Sequence, residues 1–126
     1  MTNAGQNLSV IKEENKVLFI EFWATWCTPC HKEAKKLREL YEKYKDRGLT
    51  IIGINRDENK EKALAFIKEQ NITWPQLFLA DGFKSELFKS FEPPYLPFDF
   101  LIEAGTLKET NLTAEGLGYY LEATYK

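Results

Sequence analysis

The run Lys16–Trp23, KVLFIEFW, limits what this chain can fold into more than any other segment. Beyond its leading lysine it is apolar, broken only by Glu21. A strand with one wet face alternates apolar and polar residues; a continuous apolar run is the pattern of a strand buried on both faces. That pattern argues for a layered α/β fold. Immediately after it, residues 23–31 read WATWCTPCH and hold the chain's only two cysteines, Cys27 and Cys30.

The later segments alternate in period. Ala34, Leu37, Leu40, Tyr41 and Tyr44 recur at helical spacing, lysines and an arginine fill the opposite face, and Gly48 is a stop signal. Leu49–Asn55 (LTIIGIN) is a second buried strand. Asn59 opens a second helix carrying Ala63, Leu64, Phe66 and Ile67, which ends near Gln70. Gln76–Ala80 (QLFLA) is expected as a strand, Asp81-Gly82 as a turn and Ser85–Phe91 as a short helix. Phe98–Glu103 and Thr106–Thr110 flank Ala104-Gly105, a hairpin signal, and a closing helix is expected from Thr113 onward. A short polar helix is expected within Asn7–Asn15.

Strands alternating with helices, then a hairpin and a helix, give an α/β class: a central mixed sheet flanked by helices on both faces. Residues 1–126 carry no repeat, low-complexity tract or Gly/Ser-rich linker, so a single domain is expected. The length is enough to bury a real core. A net charge of −2 gives no global attraction to nucleic acid or to an anionic membrane surface. No window holds the ~20 apolar residues of a membrane span. The first ten residues, MTNAGQNLSV, lack a basic stretch followed by an apolar one, so no secretory signal is expected in the sequence as it stands.

The cysteines fall where the first strong strand passes into a helix, the end of an open α/β sheet where sites collect. Several chemistries use such a pair. C-x-x-C-H is the attachment pattern of a c-type haem, with His31 as axial ligand. A second strong ligand would be a distant Met or another His, whereas the chain has one His and only Met1. Zinc would need a carboxylate to complete two Cys and one His. A structural disulfide is a further reading, although a bridge closing so short a loop restrains the unfolded chain little.

Thiol–disulfide exchange accounts for more of the residues. A cysteine at a helix N-terminus gains from the macrodipole and from free N–H groups, which favours the thiolate of Cys27. Cys30, about one turn inward, can resolve a mixed disulfide. Pro29 suits the first turn, where a missing N–H costs nothing. Trp23 and Trp26 flank the pair; core packing is the plainer reading for Trp23. His31 and the lysines of KEAKKLREL are read as a solvated helix face.

FWATWCTPC resembles the active-site segment of the thioredoxin superfamily, and the order of segments is most similar to the TlpA/ResA-like bacterial thiol-disulfide oxidoreductases. The resemblance implies a thioredoxin-like fold with an extra strand and helix before the terminal hairpin. It implies Cys27 as nucleophile, Cys30 as resolving cysteine, and Glu21, six residues before Cys27, as the buried acid that takes the resolving proton. The family more often has Asp at that place. A carboxyl there would have its pKa raised by desolvation; the alternative is a Glu turned outward or paired with a lysine. Pro97 takes the place of the family's cis-proline and Leu96 that of the residue whose backbone receives a substrate segment, although family members often carry a smaller or β-branched residue there. Trp26, Thr28 and Pro29 complete the expected substrate surface.

The implied activity is a dithiol–disulfide oxidoreductase with no cofactor and no metal, acting on protein disulfides and drawing electrons from an upstream thiol–disulfide donor. The Thr28-Pro29 dipeptide resembles that of reducing members. A monomer is expected, in an extracytoplasmic bacterial setting with a signal or anchor outside this sequence; a cytoplasmic setting is the alternative. The rival reading is a thioredoxin-fold protein-binding module whose disulfide is structural.

Overall fold

The computed structural model describes residues 17–81 and 93–125. Its elements run β1 (Val17–Trp23), α1 (Thr28–Tyr44), β2 (Leu49–Asn55), α2 (Lys60–Glu69), β3 (Gln76–Phe78), β4 (Phe98–Glu103), β5 (Thr106–Thr110) and α3 (Thr113–Thr124). The strands form one mixed sheet of order β3-β2-β1-β4-β5. β1, β2 and β3 are parallel, while β4 and β5 run antiparallel to their neighbours.

All seven residues of β1 are buried, which is what an apolar run without alternation requires at the centre of a sheet. Alternate residues feed two cores. Val17, Phe19 and Trp23 join Leu49 and Ile51 of β2 under α1, α2 and α3. Leu18, Ile20 and Phe22 join Ile52, Ile54 and Leu77 on the other face. The three described helices all pack on the first of these cores. Right-handed crossovers that step the same way along a sheet place α1 and α2 on one side of it. The expected helices at Asn7–Asn15 and Ser85–Phe91 lie outside the described residues.

Helix α1 buries Ala34, Leu37, Leu40 and Tyr44, then tightens into a 3-10 turn at Lys45–Arg47. Gly48 comes next at φ 119°, a conformation other residues adopt at a cost. Asn59 caps α2, its side-chain oxygen accepting from the N–H groups of Glu61 and Lys62 at 2.9 and 3.2 Å. Ala104 and Gly105 both have positive φ, 52° and 82°, the geometry a two-residue hairpin needs to match strand twist. β3 is shorter than the expected Gln76–Ala80 and passes into a 3-10 turn at Leu79–Asp81. The reason lies in its partner: β2 ends at Asn55, opposite Phe78, and offers no ladder to later residues.

One row of residues crosses four strands of the sheet. Gln76 of β3 is in register with Gly53 of β2, Gly53 with Glu21 of β1, and Glu21 with Asp99 of β4. Glu21 lies on the same face of β1 as Phe19 and Trp23, so the row faces the side that α1 covers.

Candidate active site

Beyond β1 the chain turns through Ala24–Trp26 and enters α1 at Cys27. Asp57, buried just past the end of β2, fastens this turn. Its carboxylate accepts from the N–H of Thr25 at 2.9 Å, the hydroxyl of Thr25 at 2.7 Å and Nδ2 of Asn55 at 2.7 Å. The N–H of Arg56 also donates to the carbonyl of Trp23 at 2.8 Å, so β2 holds the turn at two points.

Cys27 is the N-cap of α1, and its Sγ accepts from the N–H of Cys30 at 3.2 Å. The two cysteines form a disulfide with Cα atoms 5.3 Å apart. Pro29 stands in the first turn, and no acid occupies that turn, so nothing there opposes a negative sulfur. Both cysteines are buried, whereas Trp26, Thr28 and Pro29 are exposed around them. Trp26 is 67% exposed, while Trp23 is core. His31 is exposed as expected, yet its ring packs against Phe66 and its Nε2 lies 2.8 Å from the carbonyl of Thr25.

Beside Cys30 a small cavity, about 10 Å³, is lined by Glu21, Cys30 and Gln76 with Trp23, Ala34, Phe66, Ile72 and Trp74. Glu21 is 5% exposed. Burial raises its carboxyl pKa well above the ordinary 4.5, and the neighbouring acids Glu33 and then Asp99 push the same way. The sequence-based alternative of an outward-turned Glu21 is therefore not what is observed. Glu33 and Asp99 are themselves held at the start of α3. Asp99 accepts from the N–H groups of Leu112 and Thr113 at 2.8 and 2.9 Å, and Glu33 from that of Ala114 at 2.8 Å. These are donors that a helix start leaves without an intrahelical partner. Burial raises both acids, and these N–H groups partly oppose the rise.

The Leu96–Pro97 peptide bond is cis. Pro97 directly precedes β4, whose first residue Phe98 pairs with Phe22 near the carboxyl end of β1. Leu96 packs against the core cluster that contains Cys27 and Cys30. The sequence-derived residues thus converge on one end of the sheet.

A family profile described as AhpC/TSA family matches residues 2–110. The chain belongs to the AhpC/TSA family. Among curated members of similar sequence, the thiol-disulfide oxidoreductase ResA of Bacillus thuringiensis subsp. konkukian is 34% identical over 99 residues, covering 79% of this chain and 56% of that protein. ResA of Geobacillus kaustophilus is 30% identical over 112 residues, covering 86% of this chain and 63% of that one. This AhpC/TSA chain therefore spans little more than half the length of the curated relatives it matches. The thioredoxin domain of a thiol-disulfide oxidoreductase from Bacteroides vulgatus superposes with a TM-score of 0.79 at 26% identity, covering 94% of this chain and 84% of that one. A thiol-disulfide oxidoreductase from Bacteroides fragilis superposes at 0.73 and 26% identity, with 88% and 82% covered. The fold is thioredoxin-like.

Four residues escaped the sequence reading. They are Asp57, just past β2, Asp99 in β4, Glu33 among the lysines of α1, and Gln76 at the start of β3. Only Asp99 carried a signal, as the acid inside the otherwise apolar Phe98–Ile102 (FDFLI).

Proposed function

We propose that this AhpC/TSA-family domain is a dithiol–disulfide oxidoreductase that reduces disulfides of protein partners. The observation that carries the reading is Cys27 at the N-cap of α1, its sulfur accepting from the N–H of Cys30 in a first turn that holds no acid. In the reduced form that position favours thiolate at Cys27. The thiolate attacks one sulfur of a partner disulfide, joining Cys27 to the partner and releasing the partner's other sulfur as a thiol. Cys30 then loses its proton to Glu21 and attacks Cys27, breaking the bond to the partner and restoring the Cys27–Cys30 bridge. The partner gains two electrons and the domain loses two; a donor dithiol upstream restores the reduced form.

Trp26, Thr28 and Pro29 form the exposed surface that a partner segment meets, and the backbone of Leu96 beside Pro97 offers it a hydrogen-bonding edge. The domain works as a monomer, on the outer side of a bacterial membrane. Its curated and structural relatives are thiol-disulfide oxidoreductases, which supports this reading. Among the described residues no helix is long and apolar enough to cross a membrane.

The insulin reduction assay with dithiothreitol tests the activity. The domain should accelerate the onset of turbidity, and Cys27→Ser should abolish the acceleration. A parent protein that leaves the dithiothreitol rate unchanged would favour a binding module with a structural bridge.

A further inference from the structure

Gln76 has one satisfied end and one unsatisfied end. Trp23 Nε1 donates to its Oε1 at 2.9 Å, while its buried Nε2 has no hydrogen-bond partner. An indole nitrogen can only donate, so the contact fixes which end of the amide is oxygen. The orphaned end is therefore a donor, held facing away from Trp23. Leaving a buried donor unmet is costly, and such groups are rare enough to require a reason.

The place it occupies supplies one. The Gln76 carboxamide lies over Gly53: a Cβ added there would fall 2.2 Å from Oε1 and 2.6 Å from Nε2. Glycine at this position is what allows the side chain to reach across β2. The next strand over is β1, about 4.8 Å away, and the residue in register with Gly53 is Glu21. The same cavity is bounded by Cys30. Its other lining residues, Trp23, Ala34, Phe66, Ile72 and Trp74, carry no ionisable group. An unpaired donor in the cavity that Cys30 and Glu21 line is available to an anion formed there.

We propose that Gln76 is a positioning residue of the exchange site, its Nε2 stabilising the negative charge that passes between Cys30 and Glu21 as the mixed disulfide is resolved. Resolution removes a proton from Cys30 and delivers it to Glu21, so one unit of charge moves within a cavity lined mainly by apolar side chains. The titratable groups that face Glu21 are Cys30 and Glu33 on α1 and Asp99 on β4. All of these are neutral or negative. From β2 and β3 come Gly53 and Gln76, and among the described residues lining the cavity the Gln76 amide is the buried side-chain donor left without a partner. A hydrogen bond to an ionised group is stronger than one to a neutral partner, so the amide acts during charge transfer rather than at rest.

This inference rests on the exchange reading of the same site. The test mixes fully reduced protein with an aromatic disulfide whose released thiolate is coloured. The first equivalent released reports attack by Cys27 and the second reports resolution by Cys30. Both rates are followed against pH in the parent, in Gln76→Met, and in Gln76→Glu, which keeps an oxygen for Trp23 but replaces the donor with an acid. The midpoint of the second phase should move up by about one pH unit in Gln76→Met, a tenfold slowing near neutrality, and further in Gln76→Glu. The first phase should keep its midpoint in both. A measurement without substitution backs this: in the parent, the Gln76 side-chain amide proton resonances should shift on reduction and follow the titration of Glu21. Second-phase midpoints that coincide in all three proteins, or amide resonances indifferent to both, overturn the inference alone. A reduced parent that releases no coloured thiolate overturns the exchange reading and this inference together.

Discussion

Glu21 and Asp99 stand directly opposite each other across the β1–β4 ladder, two acids facing one another on the buried side of a sheet. Like charges so placed repel. Asp99 has two backbone N–H groups that oppose the rise in its pKa, which leaves Glu21 as the acid pushed further above its ordinary value.

That division fixes a dependence of stability on pH. The folded-state pKa of Glu21 is raised, so the folded protein holds a proton that the unfolded chain gives up. The contribution is fully present below the ordinary value of 4.5 and is lost as pH rises through the folded value. Each such group adds a slope of at most about 1.4 kcal/mol per pH unit. In urea unfolding, Glu21→Gln should match the parent near pH ~5 and exceed it near pH ~8. A parent that becomes the more stable of the two as pH rises would reverse the sign.

The two cysteines should behave differently when separated. Cys30→Ser keeps the cap thiolate and loses the resolving sulfur, so it should accumulate a covalent mixed disulfide with a partner protein. Cys27→Ser should accumulate none. Non-reducing electrophoresis after incubation with an oxidised protein substrate reads the result, and the opposite pattern would exchange the two roles.

Asp57 should prove necessary for the turn ahead of Cys27 although it touches neither sulfur. Asp57→Ala leaves the N–H of Thr25 and Nδ2 of Asn55 without their acceptor. Unfolding free energy should fall by about 1–3 kcal/mol for buried groups so stranded, and insulin reduction should slow. Asp57→Asn, which keeps one acceptor oxygen, should lose less of both.

Trp26 separates binding from folding. It is 67% exposed, so Trp26→Ala should change stability by no more than about 0.5 kcal/mol. Affinity for a protein substrate trapped on Cys30→Ser should nonetheless fall by on the order of 1–2 kcal/mol, the scale of an aromatic anchor. Unchanged affinity would move the docking surface elsewhere.

The parts of this molecule that were legible in its sequence are those governed by local pattern. The unalternating KVLFIEFW has the pattern of an interior strand, Ala104-Gly105 is a hairpin signal, and WCTPC after a strand points to a cysteine at a helix N-terminus. What stayed hidden depends on register between segments distant in sequence. Gln76 and Glu21 are 55 positions apart, and nothing in QLFLA says that a glycine on the intervening strand lets the amide lie across it. Glu33 is similar: helical spacing puts it among lysines, and only the arrival of α3 gives its carboxylate the N–H of Ala114. The length of β3 was set by where β2 stops, which its own residues do not encode.

If the Cys27–Cys30 bridge opens and closes in exchange with other thiols, its reduction potential must lie where other dithiols can reach it. Equilibration with glutathione buffers of graded composition, followed by alkylation of free thiols, gives the value. The expected potential lies within the range of exchanging dithiols, between about −120 and −300 mV. A bridge that stays closed through the most reducing buffers, with a potential well below about −300 mV, would contradict it and make the disulfide structural.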